Sequence, residues 1–285
     1  MLRASSAVRF WCLACLLGLA CGGCARLERR SRGPSFEDRL AQVDALLFLR
    51  ADPARLEEAL VQLDELMLDM GDDPRLLSRL AMAQHALAYG HAVAEPPPLR
   101  LFEAGRETAW RCIYQDPAFE GVLTSTGGLI SPAAAARIGD EHARCLLWLV
   151  ANWTRWLAIR DPAGFAIDLR PVQVLADRAV ELTAGDRRAQ ALGLAGLSRA
   201  LVPEAYGPDL DQARGFMLRA IEQGPDNLTL SVDLAEYVYG PLDDRASFRD
   251  TLERVLATPP EAGGRWQLEN HRAHLRAQAL LEAQR

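Results

Sequence analysis

"EAYGPDLDQARGFMLRAIEQGPDN", residues 204–227, carries two signals at once. Ala213, Met217, Ala220 and Pro225 keep the spacing of the second helix of a repeated helical hairpin. Small side chains where two helices cross let their axes approach, and a proline closes the unit. Tyr206-Gly207-Pro208, just before, opens a turn too roomy for such a repeat. The stretch is either a stacking unit or a stacking unit altered to hold something.

Outward from this segment, helix start and stop signals recur and period-two strands do not, so the fold class is all-α. Ser35 with Asp38 opens a helix over about 36–50. Asp52-Pro53 opens "PARLEEALVQLDELMLDM", which Gly71 closes, with Leu56, Leu60, Leu63, Met67 and Met70 on one face. Asp73-Pro74 opens a third helix ending near Gly90. The run Pro96-Pro97-Pro98 separates it from "LRLFEAGRETAWRCIYQD", which stops before Pro117. A looser stretch through Thr124-Ser125-Thr126-Gly127-Gly128 follows. Ser131-Pro132 then starts one long helix, or two in series, to about Arg160, with Asp161-Pro162 as the break. Pro171 to Thr183, Arg187 to Leu201 and the segments through "WQLENHRAHLRAQALLEA" complete roughly ten helices in antiparallel pairs.

The hairpin spacing is that of the tetratricopeptide repeat. It returns more weakly at Ala59, Leu63 and Leu66, with Gly71 in the proline's place, and again at Ala176 and Ala179 before Ala184. Ala179 and Ala220 are 41 positions apart, about seven more than the repeat length of about 34. The excess falls around Glu204 to Asp209.

Residues 1–20 read as a signal peptide: Arg3 and Arg9 are the positive region, and Phe10 to Ala20 is an apolar run of about eleven, shorter than the roughly twenty residues a spanning helix needs. Leu17-Gly18-Leu19-Ala20 before Cys21 has the form of a bacterial lipobox, which makes Cys21 the lipidated N-terminus, with Cys24 as second choice. Residues 21–35, rich in arginine, are a flexible tether, and residues 36–285 form a single all-α, tetratricopeptide-like domain. Acyl chains on the cysteine supply the membrane anchor.

Loss of two arginines with the signal segment takes the formal charge from −6 to −8, and so acidic a body argues against nucleic acid as the partner. Every Lys/Arg position is arginine, a compositional bias rather than a phosphate-binding signal. Four of six cysteines precede Ala25. Cys112 and Cys145 remain, and both readings stay open: a disulfide in an oxidising periplasm or two buried thiols.

Trp148, Asn152 and Trp156 lie at i, i+4 and i+8, on one stripe of a helix, with Trp153 beside it. Such a stripe lines an apolar cavity with Asn152 as polar handle, or else packs a core. Trp110 and Tyr114 pose the same alternatives, and Tyr206 is a further candidate for ligand contact. His271 and His274 can reach one metal, but no carboxylate stands near in a zinc-site pattern, so no metal is expected. Asp72-Asp73 and Asp243-Asp244 adjoin helix starts, where acids cap backbone N–H groups. "TSTGGL" lacks the lysine of a phosphate loop, and neither a nucleophile elbow nor a His-Glu-x-x-His pair occurs. No catalytic residue and no cofactor is expected; the protein is read as a non-enzyme.

"AYGPDLDQARGFMLRAIEQGPDNLTLSVDLAEYVYGPLDDRASFRDTLERVL" followed by "LENHRAHLRAQALLE" resembles the T component of TRAP transporters, the TatT family of bacterial lipoproteins. The resembling features are Cys21, the Trp-rich "LLWLVANWTRW", the Tyr206-Gly207 turn and the closing Leu268-Glu269-Asn270-His271-Arg272-Ala273. Pro208-Asp209-Leu210-Asp211 departs from the Gly-Gly-Asp-like stretch of the pattern. The resemblance implies cryptic tetratricopeptide repeats around a pore or cleft. It also implies a periplasmic, lipid-anchored location in a Gram-negative-type envelope, homotrimerisation, and association with a periplasmic TRAP solute-binding protein. A small apolar ligand fits that reading. The alternative is an envelope lipoprotein that acts as a protein-interaction scaffold without binding solute.

Overall fold

The computed structural model describes residues 34–91, 98–160 and 166–284. The signal segment, Cys21 and Cys24, nearly all of the tether, and the breaks at Pro96-Pro97 and Asp161-Pro162 lie outside the described residues. Backbone contacts divide the chain between Gln42 and Val43, and the unit from Val43 to Arg285 contains the cavities and buried pairs discussed below.

The described residues form thirteen α-helices. They are α1 (Phe36–Phe48), α2 (Pro53–Met70), α3 (Pro74–Ala86), α4 (Pro98–Ile113), α5 (Pro117–Ser125), α6 (Pro132–Ala135), α7 (Ala143–Ile159), α8 (Ala166–Leu182), α9 (Asp186–Ala200), α10 (Leu210–Gln223), α11 (Leu228–Leu234), α12 (Arg245–Ala257) and α13 (Gln267–Glu282). The chain is all-α. No described helix is long and apolar enough to cross a membrane.

Asp-Pro pairs set three of the starts. Asp52, Asp73 and Asp116 each accept a hydrogen bond from a backbone N–H of the turn they open, and the following proline has no N–H to leave unsatisfied. Asp116-Pro117 begins α5, in a stretch that the sequence leaves as loop. The region after Ser131 is broken into a four-residue α6, a 3-10 turn over Asp140–His142, and α7. Helix α8 begins at Ala166, so Pro171 sits inside it rather than at its start.

Helix α7 is apolar on nearly every side and is correspondingly buried, packed among α3, α4, α8 and α9. It runs antiparallel to α4. The Cys112–Cys145 disulfide ties the two, with Cα atoms 6.1 Å apart, and resolves the choice between paired and free thiols.

Helices α9 and α10 form a close antiparallel crossing. A side chain at Gly196 would come within 2.6 Å of Met217 Cγ and 2.9 Å of the Ala213 carbonyl oxygen, while Gly193 lies beside Ala220 and Gly224 beside Ala189. Ala213, Met217 and Ala220 are fully buried there. The turn before α10 is a 3-10 turn over Glu204–Tyr206, followed by Gly207 at φ 68°, ψ 76°, a left-handed conformation that glycine adopts without steric cost. Asp209 then caps α10 by accepting from the Gln212 N–H at 2.8 Å.

Two helices end in π-helical turns: α3 runs into Leu87–His91 and α11 into Ala235–Tyr239. In the second, the Gly240 N–H reaches back five residues to the Ala235 carbonyl. Single π turns of this kind frequently accompany functional sites.

Candidate functional site

Three cavities lie in a row and share walls. The first is a cleft of about 230 Å³, with Leu47, Met82, Trp148 and Trp266 as its apolar faces and Arg144, Arg187 and Arg265 among its polar groups. Gln190 and Trp266 also wall a chamber of about 40 Å³. Tyr89, Arg155 and Asp233 separate that chamber from a third cavity of about 280 Å³, which Phe102, Ile159, Val232 and Tyr237 line on its apolar side. Both π turns face this third cavity, one through Tyr89 and the other through Glu236 and Tyr237.

The cleft holds a cation with too little counter-charge. Burial pulls the Arg144 guanidinium down to about 10, and Arg79 and Arg187 push the same way against Asp44. Asp44 is a weak partner, 3.9 Å from Arg144, because its carboxylate accepts the Arg79 guanidinium at 2.8 Å. An anionic group entering the cleft would meet Arg144 and Arg187 together.

The walls between the cavities are built from buried ion pairs. Arg155 donates to Asp233 at 2.9 Å and lies over the Tyr89 ring, 5.3 Å from its centroid. Burial is the largest single influence and opposes the Arg155 charge, but Asp233, Tyr89 and Tyr237 together hold the guanidinium above its ordinary pKa. Burial raises Asp233 as well, against the pull of Arg155. Arg50 donates to both carboxylate oxygens of Glu269, at 2.8 and 2.9 Å, and stands over Trp266. Such pairs hold only because each partner satisfies the other, since a lone buried charge is strongly destabilising.

His85 packs against Tyr89, Phe102 and Trp148, with ring centroids 5.3–5.8 Å apart. Burial, with Arg155 acting in the same direction, lowers its pKa to about 3 in spite of the Asn152 hydrogen bond. It is therefore neutral at physiological pH.

The sequence-derived candidates separate in space. Trp148 faces the cleft. Asn152 is 0% exposed, and its amide donates to the carbonyls of Ala81 and Trp148 while its oxygen contacts His85 Nδ1; it braces the helices behind the cavities. Trp156 is buried, with the guanidiniums of Arg106 and Arg160 each about 4.5 Å from its centroid. Trp110 joins Arg106, Glu107, Arg111 and Trp153 around a separate surface pocket, and Tyr114, half exposed, stacks edge-on against Trp110. Tyr206 is 69% exposed and is not among the residues lining the three cavities.

Of the other polar motifs, Asp73 and Asp244 cap helices and Asp72 pairs with Arg111. His271 and His274 donate to the carbonyls of Gln267 and Thr258. Sequence reasoning missed Tyr89, Arg144, Arg155, Asp233 and Trp266. One signal was available: Arg155 is the one charged residue in "LLWLVANWTRWLAI", and a cation inside a buried helix requires a partner.

No curated protein matches the chain. A model of the TRAP transporter T-component family, which is a transporter accessory family and not an enzyme family, matches residues 99–285. The match begins in α4 and includes Arg144, Arg155, Asp233 and Trp266; His85 and Tyr89 lie upstream of it. With well over half of its length covered, the chain belongs to the TRAP transporter T-component family.

Proposed function

We propose that this TRAP accessory component is anchored in the periplasm through a lipidated Cys21, associates with the solute-binding protein of its system, and holds a small ligand in the row of cavities. The shared walls at Gln190–Trp266 and at Tyr89–Arg155–Asp233 carry the ligand part of this reading. The ligand that suits the cleft has an apolar body for Trp148 and Trp266 and one anionic group for Arg144 and Arg187. The tetratricopeptide-like arrangement of hairpins and homotrimerisation belong to the same proposal; the Cys112–Cys145 disulfide suits an oxidising compartment.

Two experiments test it. Pull-down of the lipidated chain from cells expressing its genomic neighbours should recover a TRAP solute-binding protein; a clean failure would count against the partner. Native mass spectrometry of the purified chain should show a retained small anion that is lost in Arg144→Ala. A chain that retains no ligand but still recovers envelope proteins supports the scaffold reading instead.

A further inference from the structure

At the turn that leads into α7, on different residues from the cavities, lies a group with no counterpart in the transporter reading. His142 is 6% exposed, and neither ring nitrogen has a hydrogen-bond partner. Two carboxylates face it: Asp116 Oδ2 is 3.6 Å from Nδ1 and Glu141 Oε1 is 3.7 Å from it. All three ligand atoms lie within 4.8 Å of one another.

These separations are too long for hydrogen bonds, yet they suit atoms that share an ion. Around a tetrahedral zinc with bonds of about 2.0–2.1 Å, neighbouring ligand atoms stand about 3.3–3.4 Å apart. Closing the two gaps to His142 Nδ1 to that value takes a few tenths of an ångström, and rotation of the exposed Glu141 side chain closes the remaining Asp116–Glu141 separation, which is at most 4.8 Å. We infer that Asp116, Glu141 and His142 form a binding site for a divalent transition-metal cation of the zinc class, with water completing the shell.

The site is preorganised on one side and open on the other. Asp116 is fixed because Oδ1 caps α5 and Oδ2 accepts from the Gly139 N–H at 3.0 Å. Glu141, whose side chain is 71% exposed, leaves a path from solvent. Two carboxylates and a neutral imidazole suit a 2+ ion, and the imidazole favours zinc over calcium or magnesium. His142 Nε2 lacks the acceptor that usually orients a metal-bound histidine, which weakens binding about 10–100-fold relative to a fully supported site. A bound ion would tie the start of α5 to the turn before α7.

Titration of the full chain with zinc chloride tests this calorimetrically, after free thiols have been alkylated so that cysteine binding is excluded. One zinc per chain is expected. His142→Gln should abolish that binding event, and Glu141→Gln, at an exposed position that leaves the fold intact, should weaken it by about tenfold or more. Circular dichroism on both variants checks that the helices persist; should His142→Gln unfold, Glu141→Gln decides. Absence of saturable binding, or binding unchanged in Glu141→Gln, overturns the site. The second result would assign the ion to surface groups such as Glu261 and His271, whose nearest atoms are 3.5 Å apart.

Discussion

The α9–α10 crossing and the walls of the cavity row hold helices together by different means. At the crossing, Gly193, Gly196, Ala213 and Ala220 bring two backbones close, and apolar side chains such as Met217 and Leu197 fill what remains. Burial requires nothing further of these groups. Around the cavities, α3, α7 and α11 meet across Arg155, Asp233, His85 and two π turns. Each buried charge there needs a named partner, and two of the helices pass into π turns beside the cavity. The first arrangement suits a repeated scaffold unit. The second carries a standing cost in desolvation that is understandable where a space must be kept open.

The largest effect should come from breaking that second arrangement. Asp233→Ala leaves Arg155 buried without its partner and should cost about 3–5 kcal/mol in urea unfolding. The double variant Arg155→Met/Asp233→Leu should recover most of the loss, since a packed apolar pair of similar volume replaces a buried ion pair without penalty. An Asp233→Ala protein of unchanged stability would show that the wall is not closed by this pair.

The disulfide between α4 and α7 supplies a yardstick outside both regions. Its cysteines are 33 positions apart, so the Cys112→Ala/Cys145→Ala variant should lose about 3.7 kcal/mol on the chain-entropy account. Unfolding with and without reductant reads the same quantity in the unmodified chain. At the crossing itself, Gly196→Ala places a methyl group against the Ala213 carbonyl, and overpacking of this kind costs about 1–3 kcal/mol. If Gly196→Ala proved more damaging than Asp233→Ala, the energetic contrast between the regions would be reversed.

The regular region was the more legible in sequence, for a physical reason. Small residues at helical spacing declare a close crossing without knowledge of the partner, and Asp-Pro pairs declare a helix start locally. The enlarged Tyr206-Gly207-Pro208 turn was visible too, although Tyr206 points largely to solvent and the turn serves the cap at Asp209. The cavity walls were illegible because they join distant positions, Arg50 with Glu269 and Arg155 with Asp233, and so does the separate approach of Asp116 to His142. A π turn leaves no composition signal, so Tyr89 and Tyr237 could not be told from ordinary helical tyrosines. Trp148, Asn152 and Trp156 share α7, but Trp148 alone of them lines the cleft, because α7 is buried on nearly every side and spreads the others over different neighbours.

His85 provides the finest test of the contrast, since a neutral buried imidazole has no counterpart in the α9–α10 crossing. Its folded pKa, about 3, lies below the ordinary value of 6.5 that applies when the chain unfolds. Between these values the unfolded chain binds a proton that the native protein does not, so stability must fall as pH falls through this window. The contribution is complete above pH 6.5 and is lost progressively towards pH 3. From pH 6.5 to 5.5, above the range where most carboxylates titrate, it amounts to about 1 kcal/mol. His85→Gln should flatten the pH dependence of urea unfolding by that amount while leaving any slope due to other histidines. An unchanged slope would mean that His85 reaches solvent or an acidic partner on protonation, and that the chamber beside it opens more readily than its buried walls imply.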